Sequence, residues 1–174
     1  VVSGVVWLHF TTSPLDRFDA VTIRFVTSAR TPWLDSLTNH LNSVGSRLSL
    51  AICGLLTAAL AAAFRRWRHL VVFLVSVAAL MIVFPILYTT AARPRPYSVT
   101  AIGDWEGFSS PSQPVLGLTG ILIGFIYMLV VPGRPRWYAK LAIVAILALV
   151  SLNRIYLGVD HPTDLAFAVI LGVA

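Results

Sequence analysis

Charge is what this sequence has least of. Asp, Glu, Lys and Arg make up 11% of its 174 residues, against 57% hydrophobic, and the mean hydropathy is +0.84. Soluble domains carry about a quarter charged residues, so the composition excludes one and points to an integral membrane protein. Lysine is nearly missing: Lys140 stands beside twelve arginines, a usage that fits a GC-rich bacterial genome. The lone Cys53 excludes an internal disulfide and, lying inside an apolar run, reads as a packing residue. No internal repeat, low-complexity tract or signal peptide is visible. The net charge of +6 does not imply nucleic acid, because the arginines fall in short clusters between apolar runs and form no basic, aromatic-lined groove.

What is present is a series of apolar runs. Residues 1–10 read as the outer end of a first spanning helix, with Trp7 and His9 near the interface. Residues 11–45 mix apolar and polar positions at helical spacing: Phe18, Val21 and Phe25 share one face, and Leu34, Leu37, Leu41 and Val44 share another. Thr31-Pro32 supplies an N-cap and a first-turn proline, and Gly45 closes the segment. One or two amphipathic helices along the membrane surface are expected. Apolar runs at 47–64, 70–90, 115–132 and 139–157 follow, and a fifth starts near 163; a span needs about 20 residues. Gly117, Gly120 and Gly124 form a small-residue face suited to close helix packing. The fold class expected is all-α, a polytopic six-helix membrane bundle with amphipathic surface helices between the first and second spans. Both ends read as helices cut within the membrane, so residues 1–174 are expected to be one domain of a longer polypeptide.

Orientation follows from the basic loops. Arg65-Arg66-Trp67-Arg68-His69 and Arg134-Pro135-Arg136-Trp137 each join two runs and are expected on the cytoplasmic side. Alternation then puts 91–114 and 153–162 together on the extracytoplasmic side. Arg93 and Arg95 break the positive-inside pattern there, which suits cations kept to bind an anion. Arg154, interrupting an apolar run, is expected to face protein or water.

Three pieces therefore converge: Arg93-Pro94-Arg95-Pro96, Pro111-Ser112-Gln113-Pro114, and the stretch from Asn153-Arg154 through Asp160-His161-Pro162-Thr163-Asp164. Their order and spacing resemble the type-2 phosphatidic acid phosphatase superfamily, which also contains the vanadium haloperoxidases. That family's pattern is a lysine seven residues before Arg-Pro, then Pro-Ser-Gly-His, then Ser-Arg, five residues, His, three residues, Asp. The resemblance implies that Arg95, Ser112 and Arg154 hold a phosphate, with Arg93 beside them, and that no metal or cofactor is needed. It implies a histidine nucleophile oriented by an aspartate, and a histidine acid for the leaving group.

The match is partial. Tyr88 stands for the lysine, Gln113 for the glycine, Pro114 for the acid histidine and Asn153 for the serine. The nucleophile position holds Asp160, His161 comes one residue late, and Asp164 fits the orienting aspartate. Candidate catalytic residues are thus His161, Asp164 and Asp160, with Asp104 or Glu106 as substitute acids. Other readings stand beside these: Asp160, Thr163 and Asp164 suit the N-terminus of the last helix, His161 suits an interfacial position, and the glycine face suits packing alone. A metal site at Asp160, His161 and Asp164 has few ligands, and no broken helix points to a transporter.

The reading that follows is a membrane domain resembling lipid-phosphate phosphatases with a degraded catalytic centre. It binds a lipid phosphate or polyprenyl (di)phosphate, or serves as an accessory domain beside further domains or a membrane partner. The alternative is an active, metal-independent phosphatase of phosphatidate or polyprenyl (di)phosphate at the extracytoplasmic face of the bacterial cytoplasmic membrane.

Overall fold

A computed structural model describes residues 14–103 and 105–174, the side chain of Val44 excepted. Residues 1–10, with Trp7 and His9, and also Asp104, lie outside them. Among the described residues seven α-helices occur and no strand: α1 Pro14–Thr27, α2 Pro32–Asn42, α3 Arg47–Ala63, α4 Trp67–Ala91, α5 Gln113–Leu129, α6 Arg134–Leu157 and α7 Pro162–Val173. A single 3-10 turn, Ser43–Gly45, separates α2 from α3.

Local chemistry sets most boundaries. Thr31 caps α2, its hydroxyl accepting from the Leu34 amide at 3.4 Å, with Pro32 in the first turn. Ser46 does the same for α3 through the Ser49 amide at 3.2 Å. Helix α6 begins at Arg134, ahead of the apolar run, because Pro135 sits in the first turn where its missing N–H costs nothing. Helix α5 stops at Leu129, and Val130 turns extended just before Val131-Pro132.

Helix α5 lies at the centre and packs on α3, α4, α6 and α7. Its buried side chains include Val115, Leu116, Leu118, Thr119, Ile126 and Met128. The glycine row receives side chains from two neighbours: Leu50 of α3 over Gly117, and Leu80 and Phe73 of α4 over Gly120 and Gly124. At Gly124 a methyl group would collide with the Phe73 ring, so only glycine permits that approach.

By length and composition α4 and α6 are long and apolar enough to cross a membrane, with α2 and α3 as a third candidate pair bent by 47°. Helices α5 and α7 are shorter and apolar. Helix α4 leaves Val71, Val72, Leu74, Val75, Met81 and Ile82 exposed, an apolar surface that lipid solvates and water does not. Helix α1 is turned the same way: Phe18, Val21 and Phe25 point outward (Phe25 is 78% exposed), while Asp19 points inward. A helix in water would reverse this.

Candidate functional site

The site lies where α4 and α6 end and α5 and α7 begin. Helix α4 closes on Ala92 in the left-handed region, φ 44°, and the chain leaves as Arg93-Pro94-Arg95-Pro96. Gly158, φ 73°, ends α6 and donates to Ile155 O at 2.9 Å, turning residues 159–161 back across the bundle end. A side chain there would also press on Arg30 and Val99, each 3.0 Å from the added methyl. Backbone bonds tie the pieces: Ile102 N to Leu157 O, and Ser109 N to Arg93 O, both 2.9 Å. Arg30 holds the α6 terminus by donating to Tyr156 O (3.1 and 2.8 Å) and Thr100 O (2.6 Å). The Tyr156 hydroxyl donates to Asp35 of α2 at 2.6 Å.

Arg95, Ser112 and Arg154 come together, and what they hold is Asp160. Arg154 Nε donates to Asp160 Oδ2 at 2.8 Å, Ser112 Oγ to the same oxygen at 2.7 Å, and Arg95 Nη1 to Oδ1 at 3.1 Å. Asp160 is 1% exposed and Arg154 4%. Arg95 also donates to Val159 O and Glu106 O, and its Nε is a buried donor with no hydrogen-bond partner among the described residues. Ser112 is the N-cap residue of α5, yet its side chain makes no cap bond and serves Asp160 instead. Two residues that the sequence did not single out complete the arrangement. Asn42, ending α2, accepts from Arg154 Nη1 at 3.0 Å. The Trp105 ring lies 4.5 Å from the Arg154 guanidinium and 5.6 Å from that of Arg95, a cation–π cap on the pair.

Arg93 is placed elsewhere. Its Nη1 donates to Thr163 Oγ1 and Asp164 Oδ1 at 2.7 and 2.8 Å, and its Nη2 to Asp16 Oδ1 and Asp19 Oδ2 at 2.9 and 2.8 Å. Asp19 in turn accepts from the Thr163 amide and hydroxyl. Three carboxylates thus surround one guanidinium 4% exposed, joining α1, α4 and α7. Burial alone lowers the pKa of Arg93, but the Asp164 charge and the bonds to Asp164 and Asp19 outweigh it and hold it above the ordinary arginine value.

His161 does not join Arg95 and Arg154. Its Nδ1 lies 3.1 Å from Asp164 Oδ2 and 3.3 Å from Ser109 Oγ, and the ring lines a separate pocket beside α1. Tyr88 accepts from the Phe108 amide at 2.6 Å and stacks between Phe84 and Phe108, fastening the 105–108 loop. Pro114 sits in the first turn of α5 against Gly45, and the Glu106 side chain is exposed. Among the described residues no group of three or more His, Cys, Asp and Glu is placed to hold a metal ion.

No protein-family sequence profile and no curated protein matches the chain. Solved structures do. The first transmembrane PAP2 type phosphatidylglycerolphosphate phosphatase from Bacillus subtilis superposes with a TM-score of 0.81 at 19% identity, covering 98% of this chain and 87% of that one. LpxE from Aquifex aeolicus gives 0.71 at 20% identity, covering 90% of each chain. The chain has the PAP2 fold. The motif resemblance set out above led to the expectation of a phosphate held by Arg95, Ser112 and Arg154, with Asp160 at the place of the nucleophile. Here the side chain at that last position lies among the other three as their shared acceptor.

Proposed function

We propose that this chain is a PAP2-fold membrane domain that holds the phosphate or diphosphate headgroup of a lipid without hydrolysing it, as an accessory to a larger membrane protein or partner. The observation that carries this reading is Asp160, buried between Arg95, Arg154 and Ser112 where a nucleophilic imidazole is wanted. Donors that stabilise a phosphoryl transition state must be free to follow its developing charge. Here they are spent on an internal carboxylate, whose own lone pairs are in turn engaged. Pro114, at the acid position, transfers no proton, and a missing general acid costs about a hundred- to ten-thousand-fold.

Capacity to bind remains. Two guanidiniums against one carboxylate leave one positive charge, and the Arg95 side chain keeps 20% of its surface exposed. Beside Ser112, an apolar groove of about 640 Å³ runs between α3, α4 and α5, with Arg47 and Gln113 among its lining residues. It suits the hydrocarbon of a lipid whose headgroup reaches Arg95 and Arg154. The arginine-rich turns between α3 and α4 and between α5 and α6 mark the cytoplasmic end, so this site faces the other side of a bacterial cytoplasmic membrane.

One observation favours an active phosphatase instead. His161 and Asp164 form a nucleophile-and-orienter pair at 3.1 Å, although the ring faces a different pocket. The two readings differ in which residue matters for binding. Phosphatidate binding by the purified protein in detergent is expected to weaken about tenfold or more in Arg154→Gln, the loss of a hydrogen bond to a charged group. It is expected to be unchanged in His161→Ala. Binding indifferent to Arg154 contradicts the proposal.

A further inference from the structure

The chain's net charge is carried by two turns and the helix starts beside them. Arg65, Arg66 and Arg68, with Arg134, Arg136 and Lys140, equal the net charge of +6. The other seven arginines are matched by seven acids, and no acid falls between residues 36 and 103 or between 107 and 159. The fold gathers part of this charge at one spot. Tyr127, in the last turn of α5, has two cations of α6 over its ring: the Arg136 guanidinium at 5.2 Å from the ring centre and the Lys140 ammonium at 5.3 Å. Arg136 is held there by donating to Val130 O at 2.8 and 3.3 Å. Arg68 and His69, opening α4, line the same cavity as Tyr127.

That cavity is a groove of about 670 Å³ between α4, α5 and α7. On α4 it is lined by Arg68, Val72, Ser76, Ala79 and Val83, spaced three or four residues apart and so along one face. From Arg68 to Val83 is about 22 Å of helix, against about 30 Å for a whole hydrocarbon core. Gly120 and Gly124 of α5 leave room at its floor, and Leu171 of α7 stands on its far side. Arg68, His69 and Tyr127 mark its basic end, and the rest of the lining is apolar apart from Ser76. Setting the topology of a membrane helix needs basic residues in the turns. It does not need them gathered at the mouth of an apolar groove.

Charge at one end and apolar length along the rest select the occupant. A soluble anion leaves the length of the groove unused, and a purely apolar segment leaves Arg68 and His69 without an acceptor. We propose that this groove is a second lipid site, for an anionic phospholipid of the leaflet at the basic end. Its phosphate meets Arg68 and His69, Arg136 and Lys140 add to the attracting field, and an acyl chain lies along α4 towards Val83. Basic pockets between membrane helices hold anionic headgroups in this way. The site lies at the opposite end of α4 from Arg93 and Arg95 and does not depend on Arg154 or Asp160.

The test is native mass spectrometry of the full chain in an uncharged detergent, titrated with phosphatidylglycerol and, for comparison, with phosphatidylcholine of the same acyl chains. Phosphatidylglycerol is expected to bind about tenfold more tightly. Arg68→Gln and Lys140→Gln should each weaken it about fivefold and leave phosphatidylcholine unchanged. Ala79→Phe fills the groove without altering charge and should also weaken phosphatidylglycerol about fivefold. Arg68, Ala79 and Lys140 are all exposed, so these variants fold as the parent does. Glycerol 3-phosphate, a headgroup without tails, should not compete, and Arg154→Gln should keep the dependence on Arg68. Equal affinity for the two lipids, or indifference to both charge variants, overturns the proposal. Indifference to Ala79→Phe also overturns it, because the cations would then attract lipid to the surface while something else covers the groove. Loss of binding in Arg154→Gln alone overturns it too, by placing the lipid at the Asp160 cluster.

Discussion

Asp160→Ala is expected to destabilise the protein and, at the same time, make it responsive to phosphate. Arg154 and Arg95 would lose the acceptor they share while remaining in place. Removing one partner of a buried ion pair costs about 3–5 kcal/mol; the lower end applies here, because the Arg95 side chain is 20% exposed and partly screened. The vacated space is lined by the donors that held the carboxylate, with two positive charges and no negative one. Inorganic phosphate then has a site that exists only in the folded chain, and at a hundred times its dissociation constant it returns about 2.7 kcal/mol. Thermal unfolding with and without phosphate should show a large upward shift for Asp160→Ala and a distinctly smaller one for the parent chain, whose site keeps a single net positive charge. Equal shifts in both would mean that Asp160 does not fill the anion site.

Arg93→Leu should be at least as damaging and should not respond to phosphate at all. The side chain holds three carboxylates and Thr163 together between α1, α4 and α7. Asp19 and Asp164 are 1% and 3% exposed, so its loss leaves two buried negative charges facing each other, again at about 3–5 kcal/mol. An added anion worsens that repulsion. Arg93→Lys should recover only part of the loss, since one ammonium cannot reproduce a planar fork bonded to four acceptors. Unfolding in detergent distinguishes the outcomes: a variant as stable as the parent, or one rescued by phosphate, would place Arg93 at an anion site rather than in an interhelical ion cluster.

The contrast between these two arginines shows where sequence reading succeeded and where it stopped. Both break the positive-inside pattern expected from the basic loops, and in the sequence they look alike. Only the fold separates them, because Asp16 and Asp19 come from a helix some 75 residues earlier (Arg93 to Asp19 spans 74). The apolar runs located α3 to α7 well, since hydropathy reports burial in lipid directly. Their starts were missed at α4 and α6, where Trp67 and Arg134 open helices that hydropathy alone does not register. The convergence of 91–114 with 153–164 followed from helix alternation. Asp160 as the shared acceptor did not follow. The Gly158 turn decides which of Asp160 and His161 points at Arg154, and one residue at a helix exit re-aims a side chain by about 100°. Trp105 and Asn42 carried one weak signal each, an aromatic in a polar loop and an amide ending an amphipathic segment.

The central claim is that Asp160 closes this site to phosphoryl transfer, and phosphate release tests it most directly. The purified chain, given phosphatidate or a polyprenyl diphosphate with chelator present, is expected to release no phosphate above the level of Arg154→Gln. Turnover abolished by both Arg154→Gln and His161→Ala would contradict the account and make His161 the nucleophile.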